Sequence, residues 1–270
     1  MTAMSLLAPA RVHLAYWWRH RRALRLSEPQ LFTEWVQHRK LFDRDARLPA
    51  LIDKVAVKAL VAARLGPEWI IPTLWHGDAL PPVALWPTPV VVKARGGCGQ
   101  IAFVHSGSDW PAARRQAQRW TRARYGRWLD EWAYGQVPRG LLIEPFVGAG
   151  QMLPVDYKCF VFGGRVEFIQ VHLNRADAHR WIVMDRQWRR VSLPKQDPDP
   201  VRPATLDRII TAAETLAHDH DFLRADFYEV RGAPLFGELT FYPGSGLLPL
   251  VPPSLDRRMG EHWRAARALR

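Results

Sequence analysis

Two acids stand in neighbouring β-like runs of the sequence, Asp226 near the start of "RADFYEV" and Glu238 inside "FGELTFYPGSG". Aromatic and β-branched residues favour strand in both. "RGAP" (231–234) between them looks like a turn, and the second run breaks at Pro-Gly-Ser-Gly. Folded as an antiparallel hairpin, the pair brings Asp226 within about one residue of facing Glu238, where Cβ atoms lie roughly 4.5–5.5 Å apart. Like charges that close destabilise each other unless a cation lies between them. All-oxygen ligands at this spacing suit Mg²⁺ better than zinc. Two acids on a solvated face, or a register that separates them, are the readings the hairpin alone leaves open.

The lysines raise the matching question of what holds an anion. The chain has 32 arginines and only six lysines, at positions 40, 54, 58, 93, 158 and 195. Lys93 ends the strand that enters the glycine turn "GGCG" (96–99), whose backbone N–H groups could cradle phosphate. The turn equally serves as plain structure, and it is no Walker A loop, which needs Gly-Lys-Ser/Thr opening a helix. Lys158 sits inside the β-run "DYKCFVF", where it needs an anionic partner or an edge-strand position. Lys54 and Lys58, four apart, share a helical face, a spacing that predicts solvent exposure.

The elements that must position these residues follow from periodicity. Residues 11 to 70 read as helical, with a start at Ser27, a break near Leu48 and Pro49 and a stop at Gly66. "TPVVVKARGGCGQIAFV" reads as strand, glycine turn, strand. "RGLLIEPFVG" is an apolar strand ending at Glu144, and "DYKCFVFGGRVEFIQVHLNR" gives two strands joined at Gly163 and Gly164. Residues 109 to 135 form a helical run rich in Arg and Trp. That composition could grip nucleic acid, but no nucleic-acid module accompanies it and none is expected as a partner.

Composition bounds the rest. With 270 residues, 48% hydrophobic content and 13 Trp, the chain is globular and can bury a substantial core. No apolar run approaches the roughly 18 residues of a membrane span, and the start lacks the early basic region of a signal peptide. Cys98 and Cys159 give neither a disulfide framework nor a metal cluster and fit a reducing cytoplasm. A formal charge of +12 implies an anionic partner. "RVHLAYWWRHRRALRL" could lie on an anionic membrane surface at the inner face, or be a solvated basic face with Trp17 or Trp18 packed inward. Ser245 is not in a Gly-x-Ser-x-Gly elbow, and His172 and His179 lie in no metal-ligand spacing.

The order of these features resembles ATP-grasp ligases. "LFDRDARLPALIDKVAVKALVAARLG", "VVVKARGGCG", "DYKCFVFGGRVEFIQV", "RADFYEVRGAPLFGELTFYPGSG" and "LDRRMG" are similar, in sequence and order, to the TupA-like ATP-grasp family of cell-surface polysaccharide biosynthesis. The likeness covers roughly residues 27 to 260, and "GELTFYPGSG" is its most specific part. It implies an α+β ATP-grasp fold: a helical N-terminal region (1–70), a small lobe with the glycine loop (71–145) and a large lobe with the metal site (146–270), the two lobes enclosing the nucleotide.

The resemblance also implies roles. Asp226 and Glu238 correspond to the magnesium ligands. Lys93 and Lys158 correspond to the ATP-phosphate lysines, with Lys54 a third basic contact and Gly96, Gly97 and Gly99 the loop over the phosphates. Glu144 with the backbone of Phe146 and Val147 resembles the adenine hinge. Arg224 and Arg175 are the candidates to stabilise an acyl-phosphate and its tetrahedral adduct. Two departures stand out. Thr240 replaces the Asn that many ATP-grasp enzymes carry two residues after the metal-binding Glu, and Arg-Gly-Gly-Cys-Gly replaces Asn-His-Gly-Ser-Gly. Tyr242 and Ser245 could line an acceptor pocket or serve the core and turn.

The implied activity is an ATP-dependent carboxylate–amine ligase with ATP and Mg²⁺. Its substrates would be an amino acid or peptide and a uronic-acid-containing saccharide. A non-catalytic ATP- or polysaccharide-binding component is the alternative.

Overall fold

The computed structural model describes residues 7–123, 125–173, 180–193 and 198–269. Four helices come first: α1 (Ala8–His20), α2 (Phe32–Phe42), α3 (Leu48–Ile52) and α4 (Ala56–Leu65). The break at Leu48 and Pro49 is where the chain enters α3, and Gly66 ends α4 as its left-handed φ of 106° requires. Ser27 does not start a helix. The first free amides before α2 are satisfied by Glu34, whose carboxylate accepts from Gln30 N (2.8 Å) and Leu31 N (3.1 Å), so the helix begins at Phe32.

A four-stranded antiparallel sheet follows, built from β1 (Trp75–Gly77), β2 (Val90–Ala94), β3 (Ile101–Val104) and β4 (Leu141–Pro145) in the order β1-β4-β2-β3. Helix α5 (Trp110–Arg122) lays Trp110, Ala113 and Ala117 on its apolar side, which leaves Arg115, Arg119 and Arg122 outward and Arg114 half-buried. The expected helical run to residue 135 is interrupted after Arg122. Gly126 and Asp130 take φ values of 74° and 58°, which a right-handed helix excludes, and only a short 3₁₀ turn over Trp132–Gln136 resumes.

The larger sheet holds β5 (Asp156–Phe162), β6 (Arg165–Leu173), β7 (Arg180–Asp185), β8 (Phe222–Val230) and β9 (Ala233–Thr240), all antiparallel, in the order β7-β6-β5-β8-β9. Strand β5 is central and buried throughout, so Lys158 is not an edge guard. The β8–β9 turn is tighter than "RGAP": Arg231 and Gly232, with φ of 52° and 75°, make a two-residue link with the sign pattern of a type I′ hairpin. Helix α6 (Leu206–Ala217) packs on β5, β6 and β8, and α7 (Pro253–Ala268) packs on α2 and β5. Phe32 of α2, Phe162, Phe222 and Trp263 form the aromatic centre of this core, the last two with ring centroids 4.3 Å apart. Val36, Ile52 and Val61 join it, so helices α2 to α4 and the larger sheet share one core, while Ala8, Val12 and Tyr16 of α1 pack in a separate cluster with Leu24 and Leu41. Among the described residues no helix is long and apolar enough to cross a membrane.

Candidate active site

The β8–β9 hairpin places the two acids by means of one extra residue. Counting back from the turn, Phe227 pairs with Phe236, so a regular ladder would set Asp226 against Gly237 and turn Glu238 onto the core face with Phe236. The register shifts between Asp226 and Phe227 instead, and Asp226 faces Glu238. Gly237 is the inserted residue of this β-bulge. A Cβ there would lie 3.0 Å from the Asp226 carbonyl, so the close approach favours glycine.

On this face Lys158, Asp226 and Glu238 form one cross-strand row over β5, β8 and β9. Lys158 Nζ lies 2.5 Å from Asp226 Oδ2 and 2.7 Å from Asp156 Oδ2, two residues earlier on its own strand. Arg224, also two residues away on one face, donates from Nε and a terminal nitrogen to both Asp226 oxygens at 2.7 Å. The same terminal nitrogen reaches Thr240 Oγ1 at 3.0 Å and Glu238 Oε1 at 3.4 Å. Burial alone would push the Asp226 carboxyl up, but the Arg224 and Lys158 charges outweigh it and bring it down to about 2. Burial likewise works against charge on Lys158, yet Asp156 and Asp226 hold its ammonium above the usual lysine range.

Lysines of a second cluster converge on Glu144 at the end of β4. Lys93 of β2 lies 2.6 Å from Glu144 Oε2 and Lys58 of α4 lies 2.5 Å from Oε1. Lys58 also donates to Ile71 O and Thr73 Oγ1, both at 2.7 Å, so it turns inward, contrary to the exposure its spacing predicts. The reason is that α4 starts only at Ala56. Lys54 precedes it in a turn, and the two do not share a helical face. Burial would raise the Glu144 carboxyl, but the two lysines more than offset it and hold it low. The Glu144 side chain is therefore engaged by lysines rather than free beside the expected hinge.

The glycine loop is clamped at its base. Arg95 donates from Nε to both oxygens of Asp53 (2.8 and 2.9 Å), and Asp53 also accepts from Val55 N. Lys54 binds the loop twice, through its amide to Arg95 O (3.1 Å) and its Nζ to Gly97 O (2.5 Å), while Nζ stands 3.7 Å from Glu238. Gly99 has a left-handed φ of 71°, and a Cβ on Gly96 would strike Val137 at 2.8 Å. Cys98 is a free, exposed thiol on this loop. Phe146 packs edge-on against His105 at 5.3 Å and its amide donates to Pro89 O at 3.1 Å.

The structure thus brings Lys54, Lys158, Arg224, Asp226, Glu238 and the glycine loop together, with Lys93 and Glu144 beside them: burial works against charge on Lys93, but Glu144, helped by Glu238, holds its ammonium above the usual lysine range. Arg175 lies outside the described residues. Sequence reasoning gave Asp156 no role and read Lys58 as exposed. The Asp-x-Lys spacing of a strand was a usable signal for Asp156, since alternate residues share a face. Nothing local marks Lys58, whose partner is 86 positions away. Among the described residues no group of three or more His, Cys, Asp or Glu forms a metal cage. Two facing carboxylates fit Mg²⁺, which takes one or two carboxylates and completes its shell with phosphate and water.

The TupA-like ATPgrasp family model matches residues 34–264. The chain belongs to the TupA-like ATP-grasp family. It has the ATP-grasp fold, an α+β arrangement of helices around two antiparallel sheets. Similar solved structures include the D-alanine–D-alanine ligase of Bacillus anthracis complexed with ATP (14% identity, TM-score 0.47, covering 82% of this chain and 64% of that one). The ATP-grasp ligase PsnB complexed with a minimal precursor is another (11%, 0.45, 82% and 62%). The L-amino acid ligase of Bacillus licheniformis is a third (14%, 0.43, 73% and 42%). The chain spans less than two thirds of the length of each of these three. No curated protein matches it.

Proposed function

We propose that this TupA-like protein is an ATP-dependent carboxylate–amine ligase that forms an amide through an acyl-phosphate. The observation that carries the reading is the bulge-set pairing of Asp226 with Glu238, ringed by Lys54, Lys158 and Arg224 beneath a glycine loop. Asp226 and Glu238 would hold Mg²⁺, which supplies neutralising charge to the transferring phosphoryl group. Lys93, Lys158 and Lys54 bind the phosphates, with the amides of the loop at Gly96, Gly97 and Gly99 as further donors. The Phe146 amide is taken by Pro89, so the adenine edge falls to Val147, and Glu144 keeps Lys93 and Lys58 in place rather than contacting the base.

In the first step a carboxylate oxygen of the acid attacks the γ-phosphorus and ADP leaves. In the second an amine nitrogen attacks the acyl carbon, loses a proton, and expels phosphate. Arg224, with Arg175, stabilises the oxyanion of the adduct. Tyr242 is buried in the core and Ser245 in the turn that follows the metal strand, so the core and turn roles suit them better than lining an acceptor pocket. The acid and amine are an amino acid or peptide and a uronic-acid-containing saccharide of the cell envelope, the latter suited to the +12 charge. The use of ATP puts the reaction on the cytoplasmic side, peripheral to the membrane.

The test is ADP and phosphate release from MgATP by the pure protein with amino acids paired with uronic acids. Release that needs both an acid and an amine, and falls at least about 100-fold in Glu238→Gln, is expected. ATP binding without turnover on any pair would instead favour a binding component, and no ATP binding would sink the reading.

A further inference from the structure

Helix α1 buries one face and leaves the opposite one bare. Ala8, Val12 and Tyr16, four apart, pack inward. The turn of 100° per residue puts Leu7, Leu14, Trp17 and Trp18 on the far side, where they are exposed, the two tryptophans by 51% and 66%. The expectation that one of these tryptophans packs inward therefore fails, because Tyr16 fills that place. Trp128 extends the surface at 76% exposure, with Arg11 over its ring at 5.9 Å. Leu and Trp side by side on a solvated helix are costly to leave in water, and such clusters mark interaction sites.

Charge selects the partner. Residues 7–27 carry five arginines and no Asp or Glu. Arg19, Arg21 and Arg25 are exposed, and Arg21 lies over the rings of Trp17 and Trp18 at 5.7 and 4.9 Å. An outward face of Trp and Leu flanked by arginine is the composition of a helix that lies in the interface of an anionic bilayer, rings at the headgroup level and guanidinium groups on the phosphates. A second protein copy would meet the same positive charge and repel it.

The same helix touches the far end of the candidate active site. Arg19 Nε donates to Leu247 O and the His20 ring bonds Gly246 O, both at 3.0 Å, holding the turn that follows the metal strand. We infer that α1 docks this protein on an anionic membrane surface through Leu14, Trp17, Trp18 and Trp128, setting the turn at Pro243–Gly246 close to the lipid headgroups. Docking stands on this surface alone. Its use to reach an acceptor carried by a lipid rests on the ligase reading, and that acceptor is then a membrane-borne saccharide rather than a free one.

Flotation of the full chain with vesicles of phosphatidylcholine containing phosphatidylglycerol, against phosphatidylcholine alone, tests the inference without nucleotide. Binding to the anionic vesicles is expected, weakened by salt, with a blue shift of tryptophan emission. The Trp17→Ser/Trp18→Ser variant should lose at least about tenfold in affinity, since both rings leave the interface, with an unchanged melting temperature because both side chains are exposed. Glu238→Gln should float like wild type, so a failed ligase reading and a failed docking site remain distinguishable. No flotation, undiminished flotation of the double variant, or preferential capture by duplex DNA overturns the proposal. A dimer that the variant splits while vesicle binding is absent does so too.

Discussion

Two charge clusters meet beside the glycine loop, and they are built with opposite surpluses. On the larger sheet Asp156, Asp226 and Glu238 face Lys158 and Arg224, so carboxylates outnumber cations. On the smaller sheet a single carboxylate, Glu144, sits between Lys58 and Lys93. A surplus of negative charge is what a divalent cation needs and a surplus of positive charge is what phosphate needs. Lys54 belongs to neither sheet: tied to the loop at Gly97, it stands 3.7 Å from Glu238 and offsets part of the acidic excess from outside. Each cluster is ordered by its own counter-charges, and a ligand has only to complete the neutralisation.

The sharpest way to break this contrast is to remove one buried acid. Asp226→Ala should destabilise by about 3–5 kcal/mol in urea unfolding, because Lys158 and Arg224 are left buried with too few partners. By contrast Glu238→Gln, whose side chain is 26% exposed, should stay within about 1 kcal/mol of wild type. The pH dependence has a definite sign. The Asp226 carboxyl is held down, to about 2, so its contribution is fully present above its unfolded value of about 3.9 and is lost as pH falls toward 2. The stability gap between wild type and Asp226→Asn should therefore narrow over that window, and a constant gap would mean that the ion pairs are not its source.

The large-sheet cluster was the more legible in sequence, for a physical reason. A hairpin is local, so counting residues across the turn brought Asp226 and Glu238 within one position of each other, and a lysine inside a β-run called for an anionic partner or an edge position. What counting missed is the bulge at Gly237, because one inserted residue leaves composition unchanged while it flips a side chain. The small-sheet cluster was half hidden. Lys93 announced itself beside the glycines, but Lys58 and Glu144 come from a helix and a strand far apart in the chain, and helical spacing says nothing about which way a face points. Ser27 misled as a helix start since Glu34, inside the first turn, satisfies the same amides.

A weaker perturbation separates the lysines. Glu144→Gln should cost about 2–4 kcal/mol, as two half-buried lysines lose their common anion, and adding Lys58→Met should recover about half of it by removing the repulsion. Additive losses in a double-mutant cycle would mean the three groups do not act as a unit. The smallest effect is expected at the bulge. Gly237→Ala should lower stability by only about 1 kcal/mol, the new Cβ meeting the Asp226 carbonyl. Calorimetric titration should nevertheless show clearly weaker Mg²⁺-dependent ATP binding, since the residue that moves is Glu238. Equal losses in the two measurements would detach the bulge from the site.

The placement of Arg224 and Lys158 among the carboxylates has a consequence for how the molecule ages and is handled. Domains whose acids are neutralised only by metal collapse when a chelator strips the ion. Here the guanidinium and the ammonium already balance most of the charge on Asp226 and Asp156, so assembly on the ribosome need not wait for magnesium. The polypeptide can be stored, diluted or starved of divalent ions as a folded body.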